Sequence, residues 1–182
     1  QLRNPALPQE LSQVLQHAGL PGSALTLEIT ESVAMEDPQA SIERLDAIRQ
    51  LGVRLAIDDF GTGYSSLAYL SHLPVDELKI DRSFIMDLNL HNRSIVLSTI
   101  SLGHALGLKV VAEGVETGNQ YRELALLGCD IAQGYLIAKA LPLEEFNAWR
   151  HAHPHECDWG SCPDAAPDLP PGGVTRMLEG GQ

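Results

Sequence analysis

Residues 55–64 read LAIDDFGTGY, an apolar run that ends in two adjacent aspartates and leads into a glycine-rich segment. The run predicts a buried strand that finishes at Asp58. Two neighbouring carboxylates repel each other, and each raises the pKa of the other unless a positive charge lies beside them. A metal ion, a lysine or bulk solvent could each relieve that repulsion. The residues elsewhere in the chain indicate which of these three explanations applies.

Helices and strands alternate along the chain. Short apolar runs predict five strands, at residues 25–30, 53–58, 77–80, 109–112 and 130–134. Apolar periodicity, caps and glycine stops predict helices at 8–18, between Asp37 and Gly52, after Ser65 or Ser66, and at 95–106, 117–127 and 143–151. Strands separated by helices imply parallel pairing through right-handed crossovers. The predicted fold class is therefore α/β.

Polar side chains stand where these strands end. In chain order they are Glu28 and Glu31, Asp58 and Asp59, Lys79 and Asp81, Glu113 and Glu116, and Gln133. A single polar strand end usually faces only solvent. The carboxyl ends of successive parallel strands, however, converge on one edge, where α/β enzymes carry their chemistry. Five polar strand ends in succession therefore favour a functional site.

The carboxylates at this edge indicate a metal site. Oxygen ligands from several strands suit Mg²⁺ or Mn²⁺ better than zinc. Asp58 and Asp59 can then each face a different ion, which explains how two adjacent carboxylates coexist. Two such ions clamp a phosphate ester and stabilise the oxygens of an in-line displacement. Lys79 adds a fixed positive charge to the same edge.

Three other motif interpretations fit the sequence less well. Ser66 stands where a dinucleotide-binding fingerprint needs its third glycine. Residues 59–61 copy the Asp-Phe-Gly of protein kinases, but neither the H-R-D loop nor the V-A-I-K strand accompanies them. The histidines and cysteines near the carboxyl end lack the spacing of a zinc site, and we interpret them as incidental. They are His151, His153, His155, Cys157 and Cys162.

Composition restricts the classes of partner and location. A net charge of −12 argues against binding a nucleic acid polymer through its phosphates. No apolar run approaches the length of a membrane span, and no signal peptide is visible. Three cysteines do not form a paired framework, which predicts a reducing, cytoplasmic location. The segment 151–182 is acidic and rich in proline and glycine, so we predict a disordered tail after a folded domain of residues 1–150.

Five sequence blocks follow the predicted strands. They are LEITES (27–32), DDFGTGYSSL (58–67), LKIDRSFI (78–85), VVAEGVET (110–117) and QGYL (133–136). In this order and spacing the blocks resemble the signatures of the EAL-domain cyclic di-GMP phosphodiesterases, over roughly residues 1–150. The resemblance implies a TIM-like (β/α)8 barrel. It also implies hydrolysis of cyclic di-GMP to linear pGpG with Mg²⁺ or Mn²⁺, in bacterial second-messenger signalling.

The resemblance also implies a role for each strand-end residue. Glu28 and Asp58 resemble ligands of a first metal ion, and Asp59 resembles a ligand of a second. Lys79 resembles the lysine that contacts the catalytic water, and Glu113 the glutamate proposed as general base or second-site ligand. Three further residues match supporting or substrate-binding positions: Glu31, Glu116 and Gln133.

A regulatory loop follows the two aspartates. In the family Glu31 corresponds to the glutamate that holds this loop, and the loop links the metal site to a dimer interface, which implies a homodimer. The loop residues are Phe60, Gly61, Thr62, Gly63, Tyr64, Ser65 and Ser66.

The sequence departs from the family pattern in its first part. The Glu-Ala-Leu strand that supplies a metal ligand is absent, as is an asparagine ligand on the following strand, and three of eight strands are missing by this count. Near the carboxyl end, Ala140 replaces the usual proline. We therefore expect the 182-residue chain alone to be inactive and its parent, with an upstream sensory or cyclase domain, to be the enzyme. The alternative is a non-catalytic cyclic di-GMP receptor or scaffold.

We predict that removing residues 156–182 leaves the melting temperature and activity of the completed domain nearly unchanged. The acidic, proline-rich segment has little apolar surface to bury. Thermal unfolding of the full and shortened proteins provides the measurement. A clear, cooperative drop in melting temperature after truncation would show that the segment docks on the domain.

Overall fold

Five strands form one sheet in which the spatial order equals the order in the sequence. They are β1 (Thr26–Thr30), β2 (Arg54–Phe60), β3 (Glu77–Ile80), β4 (Lys109–Glu113) and β5 (Ile131–Gln133). Every neighbouring pair is parallel. The structure is a computed structural model that describes residues 1–62 and 67–153. The prediction of a parallel α/β fold is confirmed.

Helices connect and flank these strands. In the described residues they are α1 (Leu7–Ala18), α2 (Glu31–Glu36), α3 (Pro38–Arg49), α4 (Leu67–Leu70), α5 (Arg82–Met86), α6 (Leu90–Ala105), α7 (Gly118–Leu127) and α8 (Leu143–Ala152). A single 3₁₀ turn lies at Gly22–Ala24. None of the helices that the structure describes combines the length and the apolar character needed to cross a membrane.

Local signals in the sequence explain several of these boundaries. Asp37 caps α3, because its side chain accepts a hydrogen bond from the Ala40 N–H, and Pro38 is the first helical residue, as predicted. α6 begins at Leu90, five residues before the predicted start. Asn89 caps it by accepting hydrogen bonds from two backbone N–H groups. The first turn is mostly polar, so a search for apolar periodicity does not detect this start. The serines predicted to cap α4 lie outside the described residues.

Other boundaries also differ from the prediction, and two short helices are additional to it. β2 continues to Phe60, two residues beyond the predicted end. The short helices α2 and α5 follow β1 and β3 directly and were not predicted, since six and five residues are too few to establish a helical period. α8 ends at Ala152, one residue past the predicted end of this helix.

The two faces of the sheet differ in character. Alternate residues of the strands are apolar and buried in the core, which the helices cover on that side. The largest fully buried side chains belong to Leu45, Ile48, Leu55, Ile57, Leu70, Leu78, Ile80, Ile85, Leu124, Val53, Val96 and Val110. The opposite face carries Glu28, Asp58, Lys79 and Glu113, so the same alternation that builds the core directs these charges to one surface.

Cys129 is fully buried just before β5. Its thiol donates to the Val110 carbonyl at 3.3 Å and lies 3.4 Å from the Ile131 carbonyl. Burial raises the pKa of this thiol to about 12. The thiolate, which is the reactive form, is therefore almost absent at neutral pH.

We predict that Cys129 does not react with a thiol reagent in the native protein at pH 8. A pKa of about 12 leaves roughly one thiol in ten thousand ionised, and the core excludes the reagent. The measurement is the rate of reaction with Ellman's reagent in a C157S/C162S variant, so that only Cys129 reports. The same variant in urea is the control and should react fully. Equal rates with and without urea would contradict the burial of this thiol.

Candidate active site at the carboxyl edge of the sheet

The ammonium group of Lys79 is the centre of the polar edge. Its Nζ lies 2.6 Å from Glu28 Oε1 and 3.5 Å from Asp58 Oδ1, and it also contacts Glu113 Oε1. Strand pairing brings these residues together, because Ile57 pairs with Leu78 and places the next residues, Asp58 and Lys79, on one face. Four of the predicted site residues, from four different strands, therefore form one ion-pair cluster.

Because Lys79 is buried, its positive charge is stable only beside these carboxylates. Only 4% of its side chain is exposed, against 20% for Glu113, 22% for Asp58 and 48% for Glu28. Burial by itself lowers the pKa of an ammonium. Hydrogen bonds from Lys79 to Glu113 and Glu28, together with the charges of Glu113 and Asp58, outweigh that effect and raise the pKa of Lys79. Lys79 is therefore firmly charged.

For Glu113, the effect of burial on the pKa outweighs the effect of its ion pair. Burial raises the pKa of its carboxyl, the hydrogen bond and charge of Lys79 lower it, and the charges of Asp58 and Glu28 raise it again. The net shift is upward. One lysine thus compensates the surrounding carboxylates only in part, and the edge retains an excess of negative charge.

A β-bulge presents the two adjacent aspartates. Between the pairs Ile57–Leu78 and Phe60–Ile80, β2 contains one residue more than β3. Asp59 adopts a left-handed backbone with a φ of 56°, and its N–H donates to Asp58 Oδ1 at 3.0 Å. A regular strand would send these side chains to opposite faces. The bulge removes that alternation where the sequence places its two carboxylates.

Asp81 joins the site through Asp59. The two carboxyl groups lie close enough for each to shift the pKa of the other. Burial and the charges of Asp58 and Asp81 raise the pKa of Asp59, whereas hydrogen bonds from Ser83 and Arg82, acting against burial, lower the pKa of Asp81. The sequence places Asp81 at a strand end and by itself indicates no role for it. The available signal was its position two residues after Lys79, just past the end of β3.

Glu31 holds the start of the predicted regulatory loop. It is buried at the first position of α2, and its Oε2 accepts from the Gly61 N–H at 3.0 Å. Thr62 Oγ1 donates to the Asp59 carbonyl at 2.9 Å, while Phe60 is buried in the core. The remaining loop residues, Gly63, Tyr64, Ser65 and Ser66, lie outside the described residues.

Glu116 and Gln133 lie at the same edge but not in the lysine cluster. Gln133 pairs with Glu113 across β4 and β5, and its carbonyl accepts from the Val115 N–H at 3.1 Å. Glu116 is exposed, and its N–H donates to Gln120 Oε1 at 2.9 Å. The structure therefore places both residues beside the cluster without joining their side chains to Lys79.

The donor chemistry of this edge fits divalent cations. Glu28, Asp58, Asp59 and Glu113 offer hard carboxylate oxygens, and Lys79 supplies a single compensating charge. Within residues 1–62 and 67–153, no three acidic, histidine or cysteine side chains already form a metal-binding arrangement. Three of the carboxylates converge on the Lys79 ammonium instead. Cation binding therefore requires the carboxylates to reorient, additional ligands, or both.

Parallel strands with a charged cluster at their carboxyl edge place the chain in the class of α/β proteins that carry their active site at strand ends. The sequence model of the EAL domain matches residues 1–140. The chain belongs to the EAL domain family, whose solved members are TIM-barrel-like.

Similar proteins bear names that concern cyclic di-GMP. The chain is 45% identical over 166 residues to "Cyclic di-GMP phosphodiesterase NbdA" of Pseudomonas aeruginosa, covering 90% of this chain and 20% of that protein. The solved "PaMucR Phosphodiesterase, c-di-GMP complex" is 45% identical with a TM-score of 0.78, covering 80% of this chain and 60% of that one. The match thus spans about a fifth of the length of several of its curated relatives.

A second similar structure is named for a metal ion as well as for cyclic di-GMP. It is described as "Klebsiella pneumoniae BlrP1 pH 9.0 manganese/cy-diGMP complex". It is 34% identical to this chain with a TM-score of 0.70, and the match covers 75% of this chain and 36% of that one. An EAL relative of similar fold therefore accommodates a divalent cation together with cyclic di-GMP.

We predict that Gly114→Ala destabilises the protein more than Gly107→Ala. Both glycines have a left-handed backbone, with φ of 71° and 75°. A Cβ at Gly114 would lie 2.6 Å from Arg82 Cβ, whereas a Cβ at Gly107 meets nothing within 4 Å. We expect a loss of about 1 kcal/mol in the free energy of unfolding for Gly107→Ala, and about 1–3 kcal/mol more for Gly114→Ala. Urea denaturation provides the measurement, and equal losses would contradict the close approach of Arg82.

Proposed function

We propose that this chain supplies strand-end residues of a phosphodiesterase that hydrolyses cyclic di-GMP to linear pGpG with Mg²⁺ or Mn²⁺. The observation that carries the proposal is the buried ammonium of Lys79 among Glu28, Asp58 and Glu113. Family membership and the names of the relatives support the choice of substrate. The finer assignments below follow from the chemistry of these side chains.

The acidic edge requires cations before it can bind an anionic substrate. Cyclic di-GMP carries two phosphodiester charges, which the carboxylates of this edge would otherwise repel. We assign Glu28 and Asp58 to a first ion and Asp59 to a second. When bound, such ions activate water and stabilise the charge on the phosphate oxygens. Asp81, whose carboxyl lies near that of Asp59, helps to orient it.

Lys79 and Glu113 act on the water molecule. The water oxygen forms a bond to phosphorus, and the bond from phosphorus to the ribose 3′ oxygen breaks, because pGpG keeps a 5′-phosphate. Glu113 accepts a proton from that water, and the leaving 3′ oxygen takes up a proton from solvent. Lys79 positions the water and keeps Glu113 oriented through their direct contact.

The proposal also covers the oligomeric state and the cellular location of the protein. We propose a homodimer through the loop that begins at Phe60, since Glu31 connects this loop to α2 beside the site. Relatives about five times longer than this chain leave room for upstream sensory or cyclase domains. A cytoplasmic location agrees with the paucity of cysteine and with the nature of the substrate. The folded unit of residues 1–150 and the disordered tail 151–182 remain predictions.

We predict that Asp58→Asn and Glu113→Gln fail in different ways in the complete domain. Each substitution preserves size and removes one negative charge. Asp58→Asn weakens metal binding, so raising the Mn²⁺ concentration should partly restore turnover. Glu113→Gln should retain cyclic di-GMP binding but lose turnover by about 10²-fold or more, the scale of a lost general base. Calorimetry with cyclic di-GMP and turnover across a metal titration measure both effects.

Glu123→Gln is the matched control, because Glu123 of α7 forms an ion pair with Arg93 of α6 and the substitution removes an equal charge. It should leave turnover unchanged. Near-wild-type turnover of Glu113→Gln would show that the assignment of Glu113 is wrong. A complete domain that binds cyclic di-GMP tightly but never hydrolyses it would support the receptor function instead.

A further inference from the structure

Gln120 makes more hydrogen bonds than its position in a helix requires. It is the third residue of α7 and completes a capping box with Thr117, an arrangement that needs one bond from the glutamine side chain to the Thr117 N–H. Its Oε1 also accepts from the Glu116 N–H, both at 2.9 Å. Its Nε2 donates to the Ile85 carbonyl at 3.0 Å and lies 3.4 Å from the Met86 carbonyl.

These bonds connect two segments that lead directly into the site. The first is residues 114–117, which follow Glu113 on β4 and contain Glu116. The second is the carboxyl end of α5, whose amino end is capped by Asp81. The two segments also touch at their other ends, where Gly114 packs against Arg82. The connection between β4 and α7 is therefore fastened to α5 at both ends.

An amide side chain is suited to this position for a chemical reason. The loop offers N–H donors and α5 offers carbonyl acceptors, so the bridging group needs an acceptor and a donor within one planar unit. Glutamate keeps the acceptor and loses the donor. Methionine has a similar length and loses both. These two substitutions separate the two ends of the bridge.

We infer that Gln120 is a positioning residue that sets the β4–α7 loop, and with it Glu113 and Glu116, against α5 and Asp81. The inference rests on the proposed function for its effect on turnover. It adds to that function a residue that touches none of the reacting groups. Its amide thereby fixes the position of Glu113 and Glu116 relative to Asp81.

The test compares Gln120→Met and Gln120→Glu with Thr117→Val in the complete domain. Thr117→Val removes the other half of the capping box, the bond from the Gln120 N–H to Thr117 Oγ1, and leaves the amide bridge in place. We expect both Gln120 variants to lose at least about fivefold in kcat, with KM for cyclic di-GMP within twofold of wild type. Thr117→Val should lower Tm by a similar amount and keep kcat within twofold.

A purely structural role would lower Tm in the variants while kcat stayed at the wild-type value well below Tm, and this result would overturn the inference. Wild-type kcat in Gln120→Glu alone would also overturn it, because the bond to α5 would then be unnecessary.

Amide hydrogen exchange tests the bridge without relying on turnover. In Gln120→Met the N–H groups of Glu116 and Thr117 should exchange at least tenfold faster, whereas Thr117→Val should leave the Glu116 N–H protected. Unchanged protection of Glu116 in Gln120→Met would overturn the inference. A wild-type domain without turnover would instead refute the proposed function, and the exchange rates would still decide the role of Gln120.

Discussion

The buried charge of Lys79 constrains the whole polar edge. An ammonium group that is almost fully excluded from solvent is stable only beside carboxylates, and Glu28, Asp58 and Glu113 provide them from three other strands. The same contact confines three acidic groups that would otherwise repel one another. The alternation of side chains along these strands supports the same arrangement. Apolar residues fix one face of the sheet in the core, so the charged residues between them all point to the opposite face.

The bulge in β2 is the second element on which the site depends. Left-handed Asp59 lets one strand present two consecutive carboxylates at the edge, and it ends regular pairing just before the loop that Glu31 holds. Aspartate tolerates this backbone better than most residues. The local conformation therefore has two effects: it places a carboxylate near Asp81, and it turns the chain towards the segment that Glu31 holds at Gly61.

Hydrogen bonds from outside the charged cluster fix its surroundings. Glu31 holds Gly61, and Gln120 holds the segment after Glu113, each through bonds to backbone groups. Backbone bonds of this kind determine where a strand end lies without adding charge to it. The excess of negative charge that remains favours cations at this edge, and the proposed metal site depends on that excess.

The sequence by itself determined the α/β class, the strands and most helices, and the convergence of Glu28, Asp58, Lys79 and Glu113 on one edge. It did so because apolar period, caps and strand ends are local signals, and parallel strands leave their carboxyl ends on one side. Only the tertiary structure decided that the carboxylates converge on the Lys79 ammonium, that a bulge presents Asp59, and that Gln120 spans two segments. These features depend on register between strands and on contacts between residues some twenty to fifty positions apart, which no local pattern in the sequence encodes.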